Sequence, residues 1–89
     1  MIGVQDNRAE QEFTLDIDGG RAIAAYQREG DRIVFTHTEV PPALEGRGVG
    51  SRLVRGALDQ VRDAGLKVVP QCSFVRAYIQ RHPEYRDLL

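Results

Sequence analysis

Along residues 10–17, EQEFTLDI, apolar and polar positions alternate: Phe13, Leu15 and Ile17 point one way, Glu12, Thr14 and Asp16 the other. A period of two marks a strand with one face against a core. Asp18-Gly19-Gly20 suits a tight turn, and RAIAAYQRE then sets Ala22, Ala24 and Tyr26 on one face against Ile23 and Ala25 on the other. Glu29-Gly30-Asp31 is the next turn, and RIVFTHTEV, rich in β-branched and aromatic residues, completes an antiparallel meander that Pro41-Pro42 ends. From Val49 the spacing changes to three and four. Val49, Leu53, Val54, Ala57, Leu58 and Val61 form the apolar stripe of a helix, with Arg52, Arg55, Asp59 and Arg62 facing water. Ala64-Gly65 stops it, and LKVVPQ is a short strand. Strand, helix, strand in that order implies a crossover that lays LKVVPQ parallel to RIVFTHTEV, with Pro70 at an edge or at the end of pairing. SFVRAYIQRH carries Phe74, Val75, Tyr78 and Ile79 at helical spacing, and Pro83 breaks this helix before PEYRDLL. The pattern predicts an α/β fold on a mixed sheet: an antiparallel meander, a β-α-β crossover and a C-terminal helix.

Composition narrows the class. With 89 residues, residues 1–89 are expected to form a single domain around one core. A hydrophobic fraction of 42% and a charged fraction of 28% are those of a globular chain that folds. The net charge of -1 lacks the broad positive field of a nucleic-acid binder, so Arg47, Arg52, Arg55, Arg76 and Arg81 act locally if at all. Cys72 is the only cysteine and cannot form an internal disulfide. MIGVQDNRAEQEF has neither the basic start nor the apolar run of a signal peptide, and no apolar stretch approaches the roughly 20 residues of a membrane span. A cytoplasmic protein, monomeric or weakly homo-oligomeric, is expected, with neither nucleic acid nor membrane as partner.

The chemistry concentrates in PPALEGRGVGSRLV, where Gly46, Gly48 and Gly50 lie between a strand and a helix start. Amides at a helix N-terminus lack intrahelical partners and point outward in a region of partial positive charge, which suits a phosphate. A flexible connection is the plainer reading, but it leaves unexplained why the helix begins inside the cluster. No Lys-Ser or Lys-Thr follows, as a Walker loop would need, and Gly-x-Gly-x-Gly with no acidic strand end downstream is a poor dinucleotide fingerprint.

VPPALEGRGVGSRLV resembles the acetyl-coenzyme A loop of the GNAT superfamily of N-acetyltransferases, whose pattern is Arg or Gln, two residues, Gly, any residue, then Gly or Ala. The likeness falls on Glu45-Gly46-Arg47-Gly48-Val49-Gly50, with Glu45 where the family usually has Arg or Gln. HTEVPPALEGRGVGSRLV joined to LKVVPQCSFVRAYIQRHPEY is similar to the small YjdJ-type branch of that superfamily. The resemblance implies a shortened GNAT fold, acetyl-CoA as co-substrate with no metal, and an amine acceptor. It also implies a pyrophosphate held by amides of about residues 45 to 52, and a pantetheine arm between two splayed strands. Val40, Glu45, Gly46, Arg47, Gly48, Val49, Gly50, Ser51, Arg52 and Tyr78 are the expected contacts. In many members a tyrosine from the corresponding helix protonates the departing sulfur, but core packing is the reading placed ahead for Tyr78 here.

Two residues stand out for the chemistry. His37, on the strand before the loop, suits a general base, since an ordinary imidazole pKa lies near neutrality, although a lone strand histidine can equally be structural. Cys72 follows the parallel strand and is expected to project with His37 into one gap, as a thiolate nucleophile or as a buried, inert thiol. Glu39 shares a strand face with His37, and His82 caps a helix end. Direct attack of an amine assisted by His37 is placed ahead of an acetyl group relayed through Cys72. A non-catalytic acyl-CoA sensor or carrier is the rival function, and the acceptor amine is not legible in these residues.

Overall fold

A computed structural model describes residues 3–89; Met1 and Ile2, the first residues of the stretch read above for a signal peptide, lie outside the described residues. Five strands form one sheet in the order β1-β2-β3-β4-β5. They are β1 (Gln5–Asn7), β2 (Glu12–Ile17), β3 (Gly20–Glu29), β4 (Arg32–Glu39) and β5 (Lys67–Pro70). The first three pairings are antiparallel, and β5 lies parallel to β4 at the edge. The expected meander and crossover are therefore present, with β1 added. GVQDN has no alternation to announce β1; its pairing with β2 comes from a turn at residues 8–11 and from Val4, which packs against the core.

Helix α1 (Val49–Asp63) buries the whole expected stripe, Val49, Leu53, Val54, Ala57, Leu58 and Val61, against the sheet face carrying Phe13, Leu15, Ala22, Ala24, Tyr26, Ile33 and Phe35. It ends where Gly65 takes φ +73°, with the Leu66 amide on the Val61 carbonyl at 3.1 Å and the Gly65 amide on that of Arg62 at 3.0 Å. This left-handed cap satisfies carbonyls the helix leaves open. Helix α2 (Ser73–Arg81) adds Val75, Tyr78 and Ile79 to the same core, and a 3₁₀ turn at Pro83–Leu88 closes it with Tyr85 and Leu88.

One irregularity in β4 sets which of its side chains reach the core. Tyr26 pairs with Phe35 and Ala25 with His37, so Thr36 is an extra residue in β4, a β-bulge. An inserted residue reverses the facing of every later side chain in the strand. Thr38, opposite Ala24, therefore turns to the core face, while His37, opposite Ala25, and Glu39, opposite Ile23, turn to the other.

Candidate active site

Pairing between β4 and β5 runs from Arg32 with Lys67 to Phe35 with Pro70 and stops. The last bond across the junction is from the Cys72 amide to the Phe35 carbonyl, 2.8 Å. Beyond it, among the described residues, His37, Thr38 and Glu39 of β4 pair on the β3 side alone and Thr36 is unpaired. A proline at the end of β5 removes one donor and helps end the ladder there. The two strands so leave a gap beside the glycine loop.

That gap opens into a cleft of about 510 Å³ lined by Thr38 and Val40, by Leu44, Glu45, Gly46, Gly48, Val49, Gly50 and Ser51, and by Phe74 of α2. Leu44, fully buried at the end of a 3₁₀ turn over Pro42–Leu44, anchors the loop to the core. Gly46 and Gly48 hold φ of +79° and +73°, and Gly48 is the N-cap of α1. Side chains rarely tolerate that region, so glycine is the residue that lets the chain turn into the helix here. Among the described residues, the amides of Gly46, Arg47, Gly48, Val49, Gly50 and Ser51 make no well-formed hydrogen bond to a carbonyl or side chain; the first amide that does is that of Arg52, on Gly48 at 3.1 Å. Six such donors at the positive end of a 15-residue helix are chemically suited to a phosphate-bearing group. The Glu45 amide is already on the Pro42 carbonyl at 3.3 Å, so the donor set is shorter at both ends than the expected 45 to 52.

Gly50 has a different reason. A Cβ there would stand 2.7 Å from Cζ of Phe74, so its absence lets that ring lie across the start of α1. Phe74 is 42% exposed and walls the cleft. Its apolar character at helical spacing suggested core packing, and Thr38 was hidden by the bulge; both are site residues that sequence reasoning did not single out.

The other expected residues divide. Val40, Glu45, Gly46, Gly48, Val49, Gly50 and Ser51 line the cleft, whereas Arg47 and Arg52 are exposed beside it and are not among its lining residues. Tyr78 is not among the residues that line the cleft: it is buried in the core, stacked on His82 at 4.1 Å between centroids and tilted against Tyr85 at 5.9 Å. Burial raises its phenol above the usual tyrosine range. His82 is the C-cap of α2, its amide on the Tyr78 and Ile79 carbonyls, the structural part expected of it.

His37 and Cys72 do not come together. Cys72, 8% exposed at the N-cap of α2, has its Sγ 3.2 Å from the Thr38 hydroxyl on the core side. The bulge puts His37 on the opposite face, where its Nε2 is 2.5 Å from a carboxylate oxygen of Glu39. Both side chains are more than half exposed there. Strict alternation from Phe35 would have turned His37 toward Cys72; the extra residue prevents it. The thiol thus has a hydroxyl for a neighbour rather than a base.

The sequence model of the GCN5-related N-acetyl-transferase family matches residues 12–88. The chain belongs to this family. It is 38% identical to Protein NATD1 of Gallus gallus over 85 residues, covering 92% of this chain and 77% of that protein. With Protein NATD1 of Homo sapiens the identity is also 38%, covering 92% and 75%. The solution structure of a GCN5-like putative N-acetyltransferase from Staphylococcus aureus superposes with a TM-score of 0.72 at 26% identity, over 99% of this chain and 89% of that one. The shortened α/β GNAT fold, a five-stranded mixed sheet with its helices, is thereby shown, and with it acetyl transfer as the general activity. Acetyl-CoA is the family's co-substrate. Its diphosphate suits the Gly46–Ser51 amides, and the long unpaired edge of β4 suits an extended amide-bearing arm laid along it.

Proposed function

We propose that this chain transfers the acetyl group of acetyl-CoA to a primary amine by direct attack, with His37 as general base. One observation carries the reading: six unengaged amides at the start of α1 open into a cleft that continues along the unpaired edge of β4. The donor enters from the core side, its pyrophosphate on the amides and its thioester in the gap. The acceptor approaches from the other face of the sheet, where His37 and Glu39 stand. In the tautomer that donates its Nε2 hydrogen to Glu39, the imidazole keeps a lone pair on Nδ1 for the amine proton. The amine nitrogen bonds to the thioester carbon, the C–S bond breaks, and His37 takes the amine proton. CoA leaves as the thiolate, which the Thr38 and Ser51 hydroxyls on the core side can hydrogen-bond and which takes its proton from solvent, while the imidazolium of His37 returns the amine proton to solvent.

The separation of His37 from Cys72 supports direct attack over a relay, because a nucleophilic thiol needs a base within hydrogen-bond reach. The test combines a titration with CoA and assays of thiol release over a panel of amines. CoA should shift amides near residues 38–51 and 74 in the wild type and in His37→Gln alike. Turnover should fall by ~10²-fold or more in His37→Gln, the usual reach of general-base catalysis. Cys72→Ala should keep most of its turnover, and wild type mixed with acetyl-CoA should show no acetylated Cys72 by mass. Binding without thiol release for any amine would turn the reading to a sensor; no binding at all would remove it.

A further inference from the structure

A second hollow, of about 440 Å³, lies at the far end of α1 and has no part in the chemistry above. Helix α1 has 15 residues, and at 1.5 Å each its ends stand roughly 20 Å apart, so the two hollows are separate. The floor is apolar, made by the edges of Phe13, Tyr26, Ile33 and Val61. Its rim carries Asp6, Arg8, Gln11, Arg28 and Gln60. A hollow of this size, apolar with a few convergent polar groups, has the form of a small-molecule site.

Which ligand suits it is set by the donors and acceptors left over. The acceptors are largely engaged. Asp6 accepts the Tyr26 hydroxyl at 2.6 Å and faces Nε of Arg8 at 3.6 Å, and the side-chain oxygen of Gln11 accepts the Arg28 amide at 3.1 Å. The donors are not. Arg28 commits only Nε of its guanidinium, to the Gly30 carbonyl at 2.7 Å. Among the described residues its terminal nitrogens, those of Arg8 and the amide nitrogen of Gln11 have no hydrogen-bond acceptor. Against them stand the side-chain oxygen of Gln60, whose amide nitrogen is on the Val4 carbonyl at 2.6 Å, and the second carboxylate oxygen of Asp6, 3.6 Å from Nε of Arg8. Two arginines against one aspartate also leave the rim positive. Gln11 is held at φ +53°, an uncommon conformation for a residue with a side chain, and its own carbonyl is fixed by the Tyr26 amide at 2.9 Å.

We propose that this hollow binds a small amphipathic monocarboxylate, with its carboxylate on Arg28 and Arg8 and its hydrocarbon on Phe13, Ile33 and Val61. The test is a residue-resolved titration of the whole chain with octanoate, octylamine and octanol. Octanoate should shift amides at residues 6–13, 26–28 and 60–66 in a saturable way and leave 46–51 unmoved. Octylamine should not bind, and octanol should bind at least about tenfold more weakly, the loss expected when a charged hydrogen-bonding group is removed. The variant Arg8→Gln/Arg28→Gln, with its spectrum otherwise preserved, should lose octanoate to a similar degree. No saturable shift by about 10 mM octanoate, a concentration that reveals even weak sites, would overturn the proposal. So would octylamine binding as well as octanoate, shifts centred on 46–51, or an unaltered affinity in the arginine variant.

Discussion

Gly48 offers the sharpest test of how the loop makes its cradle. At φ +73° it is the N-cap of α1, and a Cβ built on it meets nothing within 4 Å. Gly48→Ala therefore introduces no clash, and its whole cost is the left-handed backbone, about 1–2 kcal/mol for an L-residue. The cost can fall in two places. If the loop holds its shape, the folded state is destabilised by that amount, which for a domain of this size lowers Tm by roughly 5–15 °C. If the loop relaxes instead, Tm is kept but the amides of Gly46–Ser51 no longer converge. Losing a single amide bond to a charged phosphate oxygen, worth about 1.5–3 kcal/mol, then weakens CoA at least about tenfold. Thermal unfolding with and without CoA, together with a calorimetric CoA titration, separates the two. Gly48→Asn serves as the control, because asparagine enters this region more readily, and it should recover part of either loss. Wild-type Tm and wild-type CoA affinity in Gly48→Ala would refute the argument that a left-handed cap aims these amides.

Two further outcomes are expected. Tyr26 and Tyr85 donate to Asp6 and Asp59, and burial first, then the neighbouring carboxylate, pushes each phenol up to about 12. A raised folded-state pKa contributes stability that is present below the unfolded value of about 10 and is lost as pH climbs through 12, by at most a few kcal/mol per tyrosine. Unfolding measured from pH 9 to 12 should show Tm falling across that window, less steeply in Tyr26→Phe/Tyr85→Phe; equal slopes would contradict the assignment. In α1, a Cβ on Gly56 would come within 2.7 Å of Val4 Cβ. Gly56→Ala should lose ~1–2 kcal/mol, overpacking outweighing the gain in helix propensity, and Val4→Ala/Gly56→Ala should regain most of it. Additive effects in this double-mutant cycle would show that β1 does not press on the helix.

How much was legible in the chain depended on whether a signal was local. The strand alternation from Glu12 to Tyr26 and the stripe from Val49 to Val61 reflect contacts between an element and the core, the Gly65 stop is a local cap, and all three are present in the fold. The glycine loop was legible too, because left-handed backbone and unengaged helix-start amides belong to the segment itself. Tyr78 shows the opposite case. Its spacing places it on an apolar face, yet the cleft takes Phe74, one turn earlier, because the close approach of Phe74 to Gly50 sets how α2 lies on α1.

The amino-acid order by itself determined the sequence of elements, the parallel crossover and the glycine loop that opens the helix, since periodicity, turn chemistry and helix ends act over a few residues. Only the tertiary structure decided which side of the sheet each reactive side chain faces. A single unpaired residue at Thr36 reverses the strand beyond it, bringing Thr38 to Cys72 and turning His37 and Glu39, which share a face in either register, to the opposite side of the sheet. That residue is set by the pairing of β4 with β3, a contact between segments that no local pattern contains.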